Sequence, residues 1–121
     1  MLLLEDLTVR YGGLSALTNV SINAQAGEFV TIIGPNGAGK TTLLKAISGV
    51  VRPMEGRIVF EGRDLASVPA PRRPKLGIAH VPEYRQVFGG LSVRENLELG
   101  TTSLEGRGGR RANVRLALEL L

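Results

Sequence analysis

The sequence predicts an α/β fold in which an N-terminal antiparallel β layer leads into a P-loop core, and three consecutive observations predict it. Glu28-Phe29-Val30-Thr31-Ile32-Ile33 is a short apolar, β-branched run of the kind that fills a buried strand of a parallel sheet. Gly34-Pro35-Asn36-Gly37-Ala38-Gly39-Lys40-Thr41-Thr42 fits the template G-x-x-x-x-G-K-[ST] at every fixed position. Leu43-Leu44-Lys45-Ala46-Ile47 then begins a helix. Strand, glycine loop and helix in that order distinguish a phosphate-binding loop from a chance match.

The residue types follow from the chemistry. Gly34, Gly37 and Gly39 allow backbone conformations closed to other residues, so that successive N–H groups converge on one anion. The helix that follows adds its positive end. Lys40 supplies a compact cation for the β- and γ-phosphates, and the Thr41 hydroxyl is placed to ligate a bridging Mg²⁺.

Upstream, residues 1–10 read as a strand, with Leu7 and Val9 alternating against Thr8 and Arg10, and Tyr11-Gly12-Gly13 turns the chain. Val20-Ser21-Ile22-Asn23-Ala24 alternates again, and Ala26-Gly27 turns into the apolar run. Tyr11 is open to two readings on its ring alone: a half-buried turn tyrosine, or a platform for an adenine base, a contact of about 1–3 kcal/mol.

Downstream, Arg52-Pro53-Met54-Glu55-Gly56 stops the helix, and Arg57-Ile58-Val59-Phe60 makes a strand closed by Glu61-Gly62. Pro69, Pro71 and Pro74 limit any helix between residues 64 and 76 to a turn or two. Leu76-Gly77-Ile78-Ala79-His80-Val81 reads as a second buried strand. His80 is the sole histidine, and within an apolar strand and without a spaced partner it reads as a packed or edge residue. Ser92-Val93-Arg94-Glu95 is a capping box that opens a helix to about Leu99, ending at Gly100. Gly106, Gly108 and Gly109 predict a loop, and from Arg111 a helix resumes with Val114, Leu118 and Leu121 on one face. That helix meets no glycine or proline stop, which predicts a chain cut within a helical region.

Composition bounds the remaining classes. The 121 residues match one small domain, and 43% apolar content suffices for a core. No apolar stretch approaches the ~18 residues of a membrane span, and Glu5 and Asp6 follow Met1-Leu2-Leu3-Leu4 too closely for a signal peptide. A cytosolic location is expected, and the absence of cysteine excludes disulfides. The net charge of +4 lies entirely in residues 72–121, where nine basic side chains face five acidic ones. They are scattered from Arg72 and Arg73 to Arg115 with only Tyr84 and Phe88 as aromatics, which reads as solvated surface rather than a nucleic-acid module.

The loop Gly34 to Leu44, preceded by Tyr11-Gly12 and followed by Gly56-Arg57-Ile58, resembles the nucleotide-binding subunit of ATP-binding cassette (ABC) transporters across nearly the whole chain. Val81-Pro82-Glu83-Tyr84-Arg85-Gln86-Val87-Phe88 followed by Leu91-Ser92-Val93-Arg94-Glu95-Asn96-Leu97 is similar to the ATPase subunits of branched-chain amino acid importers. The resemblance implies ATP and Mg²⁺ as cofactors, Tyr11 on the adenine, Gly34 to Thr42 (Gly34, Pro35, Asn36, Gly37, Ala38, Gly39, Lys40, Thr41, Thr42) around the phosphates, and Thr41 and Glu83 on the metal. Lys40 and Glu83 would be the catalytic groups. Glu83 stands where most of the superfamily has glutamine, and its carboxylate is also a metal-competent oxygen donor.

Further implications are a partial nucleotide-binding domain, with residues 1–83 as β layer and P-loop core and residues 84–121 as γ-phosphate loop and start of a helical subdomain. Its partners would be membrane permease subunits, gripped through Tyr84 to Leu97, and a second ATP-binding subunit, on the inner face of the cell membrane. Phe88 is either the aromatic of that permease contact or a loop residue over the local core. The signature loop, the second acidic strand with its catalytic glutamate and the switch histidine have no counterpart in these residues, so little turnover is expected of the chain alone. A non-hydrolysing nucleotide-binding remnant, a urea or amide importer, and a non-transport cassette ATPase are the competing readings; a GTPase or kinase would leave Tyr11 and the Glu83 segment unexplained.

Overall fold

The computed structural model describes residues 1–84, 86–102 and 107–121, with only the backbone described at residues 107 and 108. The chain divides into two compact units, Met1–Arg73 and Pro74–Leu121.

In the first unit, β1 (Leu2–Tyr11) and β2 (Leu14–Ala24) form an antiparallel hairpin through Gly12-Gly13. β3 (Glu55–Phe60) pairs with the other edge of β1, and the two-residue β4 (Arg63–Asp64) closes the sheet in the order β2-β1-β3-β4. β1 is therefore central, and Leu4, Leu7 and Val9 are fully buried. Leu4 and Leu7 are three residues apart, an odd spacing that would put them on opposite faces of a regular strand. A bulge reconciles them. Asp6 takes a positive φ of 49° where the β1–β2 register shifts between Leu4 and Leu7, and Asn19, at 52°, lies on β2 in the next shift, between Leu7 and Val9. On the β3 side, Gly56 (φ 82°) crosses the same bulge: a Cβ there would stand 2.4 Å from the Glu5 carbonyl oxygen and 2.6 Å from that of Asp6. An Arg57–Glu5 ion pair spans the strands beside it, and this hydrogen bond holds the Glu5 carboxyl below its ordinary range.

α1 (Lys40–Ser48) buries Leu43 and Ala46, spaced to share one face. It ends at Gly49, in the left-handed conformation, whose N–H donates to the Ala46 carbonyl while Val50 N–H reaches Lys45. The sequence places the stop later, at Arg52-Pro53; the glycine ends the helix before the proline can.

Arg73 corrects the reading of the basic residues as solvated surface. It is buried, its Nε donating to the Val68 carbonyl at 3.0 Å, Nη1 to Ala46 and Ile47 at 2.8 and 2.6 Å, and Nη2 to Leu65 at 2.9 Å. One guanidinium thus ties the C-terminus of α1 to the 3₁₀ turn Leu65–Ser67. The cation also opposes the negative end of α1, while burial lowers its pKa.

The two predicted core strands are not paired. Residues 28–33 form no regular element and have no ladder partner among the described residues, leaving Phe29 93% and Ile33 89% exposed. Residues 78–82 are likewise irregular, with Val81 exposed and His80 half-buried. A strand is a pairwise structure, and composition supplies only one side of the pair.

In the second unit, α2 (Val93–Gly100) starts at the expected capping box: Glu95 N–H donates to Ser92 Oγ, and Ser92 N–H donates to Glu95 Oε2 at 2.7 Å. α3 (Arg107–Glu119) packs against α2 and buries Val114. It begins four residues before Arg111, so Gly108 and Gly109 belong to its first turn rather than to a loop, and Gly106 lies outside the described residues. No described helix is long and apolar enough to cross a membrane.

Candidate nucleotide site

The glycine loop runs from the unpaired apolar segment into α1, and its three glycines meet different demands. Gly39 is the residue before α1 at φ 89°, and a Cβ on it would lie 2.4 Å from the Ala16 carbonyl oxygen and 2.6 Å from Leu17 Cδ2. The loop therefore closes directly on β2. Gly37 (φ 85°) has open space around it and needs only its backbone freedom. Gly34 departs from the expectation: it has no left-handed φ, and what constrains it is proximity, with a Cβ falling 3.1 Å from Ala38 Cβ.

Lys40 doubles back along the loop it terminates. Its Nζ donates to the carbonyls of Gly34 at 2.6 Å and Pro35 at 2.7 Å, which fixes the ammonium over the start of the loop. Ala38 N–H closes the intervening turn on the Pro35 carbonyl at 3.2 Å, with Asn36 exposed inside it. Thr41 and Thr42 stand half-buried in the first turn of α1, where helical N–H groups lack intrahelical acceptors.

Tyr11 joins this group from the end of β1. Its hydroxyl lies 3.5 Å from Thr42 Oγ1, a long contact across 31 positions, while about half of the residue stays exposed. An accessible ring and a phosphate-type loop thus stand side by side within one unit. Glu83 lies exposed in the second unit, in the irregular segment before Tyr84, which adopts φ 68°. No cluster of three metal-ligating side chains occurs among the described residues. The Thr41 hydroxyl and the Glu83 carboxylate are both hard oxygen donors, the chemistry that suits Mg²⁺.

One residue of the second unit escapes sequence reasoning altogether. The Asn96 amide accepts from Phe88 N–H at 2.9 Å and donates to the carbonyls of Phe88, Leu91 and Ser92 at 3.1, 3.2 and 3.0 Å. The available signal is slight: an amide in the first turns of a helix that follows a Phe-Gly-Gly-Leu turn.

A glycine loop that opens a lysine-headed helix, beside an antiparallel sheet whose first strand ends in a tyrosine at that helix's first turn, has the form of a nucleotide-binding cassette of the P-loop class. The chain belongs to the ABC transporter family, whose model matches residues 17–121. It is 43% identical over 91 residues to a probable ABC transporter ATP-binding protein of Azorhizobium caulinodans, covering 75% of this chain and 32% of that protein. It is also 43% identical over 100 residues to the high-affinity branched-chain amino acid transport ATP-binding protein BraG of Pseudomonas aeruginosa, covering 83% and 43% respectively. A zinc import ATP-binding protein, ZnuC of Jannaschia sp., is 36% identical over 117 residues, covering 97% of this chain and 43% of its own. Among solved structures, a dimeric bacterial ABC transporter cassette superposes with a TM-score of 0.83 at 30% identity, over 98% of this chain and 55% of that one. The chain spans under half the length of these curated relatives.

Proposed function

We propose that this chain carries the adenine- and phosphate-binding half of an ATPase subunit that energises uptake of branched-chain amino acids. The observation that supports it best is the approach of Tyr11 to Thr42, because a phosphate loop alone does not select a base, and an aromatic platform beside it does. Gly34 to Thr42 would enclose the phosphates, with Lys40 against the β- and γ-oxygens. Thr41 and Glu83 would hold Mg²⁺, which neutralises charge on the phosphates when bound. Glu83 would also follow the γ-phosphate, and Tyr84 to Leu97 would carry that state to a membrane permease on the cytoplasmic face. A second ATP-binding subunit would complete the pair. The amino-acid assignment is supported by the 43% identity to BraG and by the segment Val81 to Phe88.

Binding of a fluorescent ATP analogue tests the first part: Lys40→Ala should lower affinity at least about tenfold, and equal affinity in both proteins would sink the site. Uptake by source cells carrying Lys40→Ala tests the second. Leucine uptake should fall while urea, spermidine and zinc uptake persist; loss of one of those in place of leucine would reassign the solute.

A further inference from the structure

We propose that Asn96 is a positioning residue that holds Phe88 outward as the anchor of the permease contact, an inference that rests on the functional reading above. A single amide meets four backbone groups of one turn, accepting from Phe88 N–H and sharing its two N–H bonds among three carbonyls, and so engages both backbone groups of Phe88. The side chain thus acts as a substitute peptide group, fixing residue 88 as a neighbouring strand would. Leu91 N–H closes the same turn on the Phe88 carbonyl at 3.0 Å, across Gly89-Gly90. Asn96 is itself fixed in α2, its N–H bonded to the Ser92 carbonyl at 3.0 Å.

What this clamp presents is apolar. Phe88 is 63% exposed, and Val87, Leu91 and Val93 are exposed around it. Hydrogen bonds to both backbone groups of Phe88 fix the position on the turn from which its ring projects. Residues 86–93 carry no charged side chain, so the matching surface on the partner is apolar rather than acidic or basic. An aromatic anchor that is rigid before contact lowers the ordering cost of binding. The occupant this surface fits is an apolar segment on the cytoplasmic side of the permease.

The test is a double-mutant cycle on retention of the purified protein by inside-out vesicles of the source membrane, with liposomes of the extracted lipids as control. Asn96→Ala and Phe88→Ala should each weaken retention about tenfold, and the double variant should be no weaker than either. Affinity for the fluorescent ATP analogue should stay within about twofold of wild type in all three. Amide exchange at Phe88 and Leu91 should accelerate in Asn96→Ala and not in Phe88→Ala. If Phe88→Ala has no effect on retention, the permease contact fails and this inference fails with it. If Phe88→Ala weakens retention but Asn96→Ala does not, or the two effects add, Asn96 is not the positioning residue while the contact stands. Equal retention by protein-free liposomes would mean the patch reads lipid, which overturns the proposal. Asn96→Asp keeps the acceptor for Phe88 N–H and loses the donors, and it carries the same comparison if the alanine variant does not fold.

Discussion

Replacing Arg73 with methionine, which keeps the apolar stem and removes the guanidinium, should be among the most destabilising single changes in the first unit. Four charge-assisted hydrogen bonds vanish together. Two of the four carbonyls keep another donor, since Gly49 N–H still reaches Ala46 and Val68 N–H still reaches Leu65. The loss therefore falls on the carbonyls of Ile47 and Val68, at about 1–3 kcal/mol each. Relief of the guanidinium's own burial offsets part of this, leaving a net cost of about 3 kcal/mol. With a urea dependence of about 1.5 kcal/mol per molar, the unfolding midpoint should drop by about 2 M in equilibrium unfolding followed by circular dichroism. Arg73→Lys keeps the charge and can address about two of the carbonyls, so its midpoint should fall about half as far. A shift below about 0.5 M for the methionine variant, with unchanged slope, would refute the claim that this one side chain holds the end of α1 to the turn at Leu65.

Other predictions follow from the loop and the caps. Gly39→Ala and Gly37→Ala both demand a left-handed backbone, but only the former also collides with β2, so it should abolish binding of the fluorescent ATP analogue while Gly37→Ala weakens it about tenfold; the reverse order would contradict the packing of the loop on β2. Tyr11→Phe should change ATP affinity less than about threefold, whereas Tyr11→Ala should weaken it about tenfold, because the ring rather than the long hydroxyl contact carries the energy; equal losses would assign the effect to Thr42. The Glu95 carboxyl is held below its ordinary pKa by hydrogen bonds from the Ser92 hydroxyl and Ser92 N–H. A lowered folded-state pKa means that this contribution is complete above the unfolded value near 4.5 and is lost as pH falls through the lower folded value. An NMR titration should show the depressed midpoint, and Ser92→Ala should raise it only part of the way, since the backbone N–H of residue 92 still donates, while losing the hydroxyl cap costs about 1 kcal/mol of stability.

Features whose causes are local could be read from the chain. The capping box needs only Ser92 and Glu95, and the loop template with a helix after it needs only neighbouring residues. The alternation of Val20, Ile22 and Ala24 gave β2 its half-buried face. Features with a distant cause could not be read. Residues 28–33 have the composition of a buried strand, yet pairing requires a second strand at hydrogen-bonding distance. Arg73 sits among prolines and looks like any surface arginine; only the carbonyls 26 and 27 positions earlier make it a core residue. Lys40 and Thr41 were placed by motif, but the contact of Tyr11 with Thr42 depends on how far the β1 turn reaches, which no spacing in the chain encodes.

The bulge at Asp6 and the glycine at position 56 are two halves of one geometric fact: the space a side chain would occupy on β3 is filled by carbonyls that β1 pushes outward. Two sites fifty residues apart are therefore tied in inheritance. A lineage that straightens β1 by losing one residue there is freed to replace Gly56, and a lineage that keeps the bulge is not. Among aligned cassettes, the two positions should change together, so that a residue other than glycine at 56 marks a sequence whose first strand is one residue shorter.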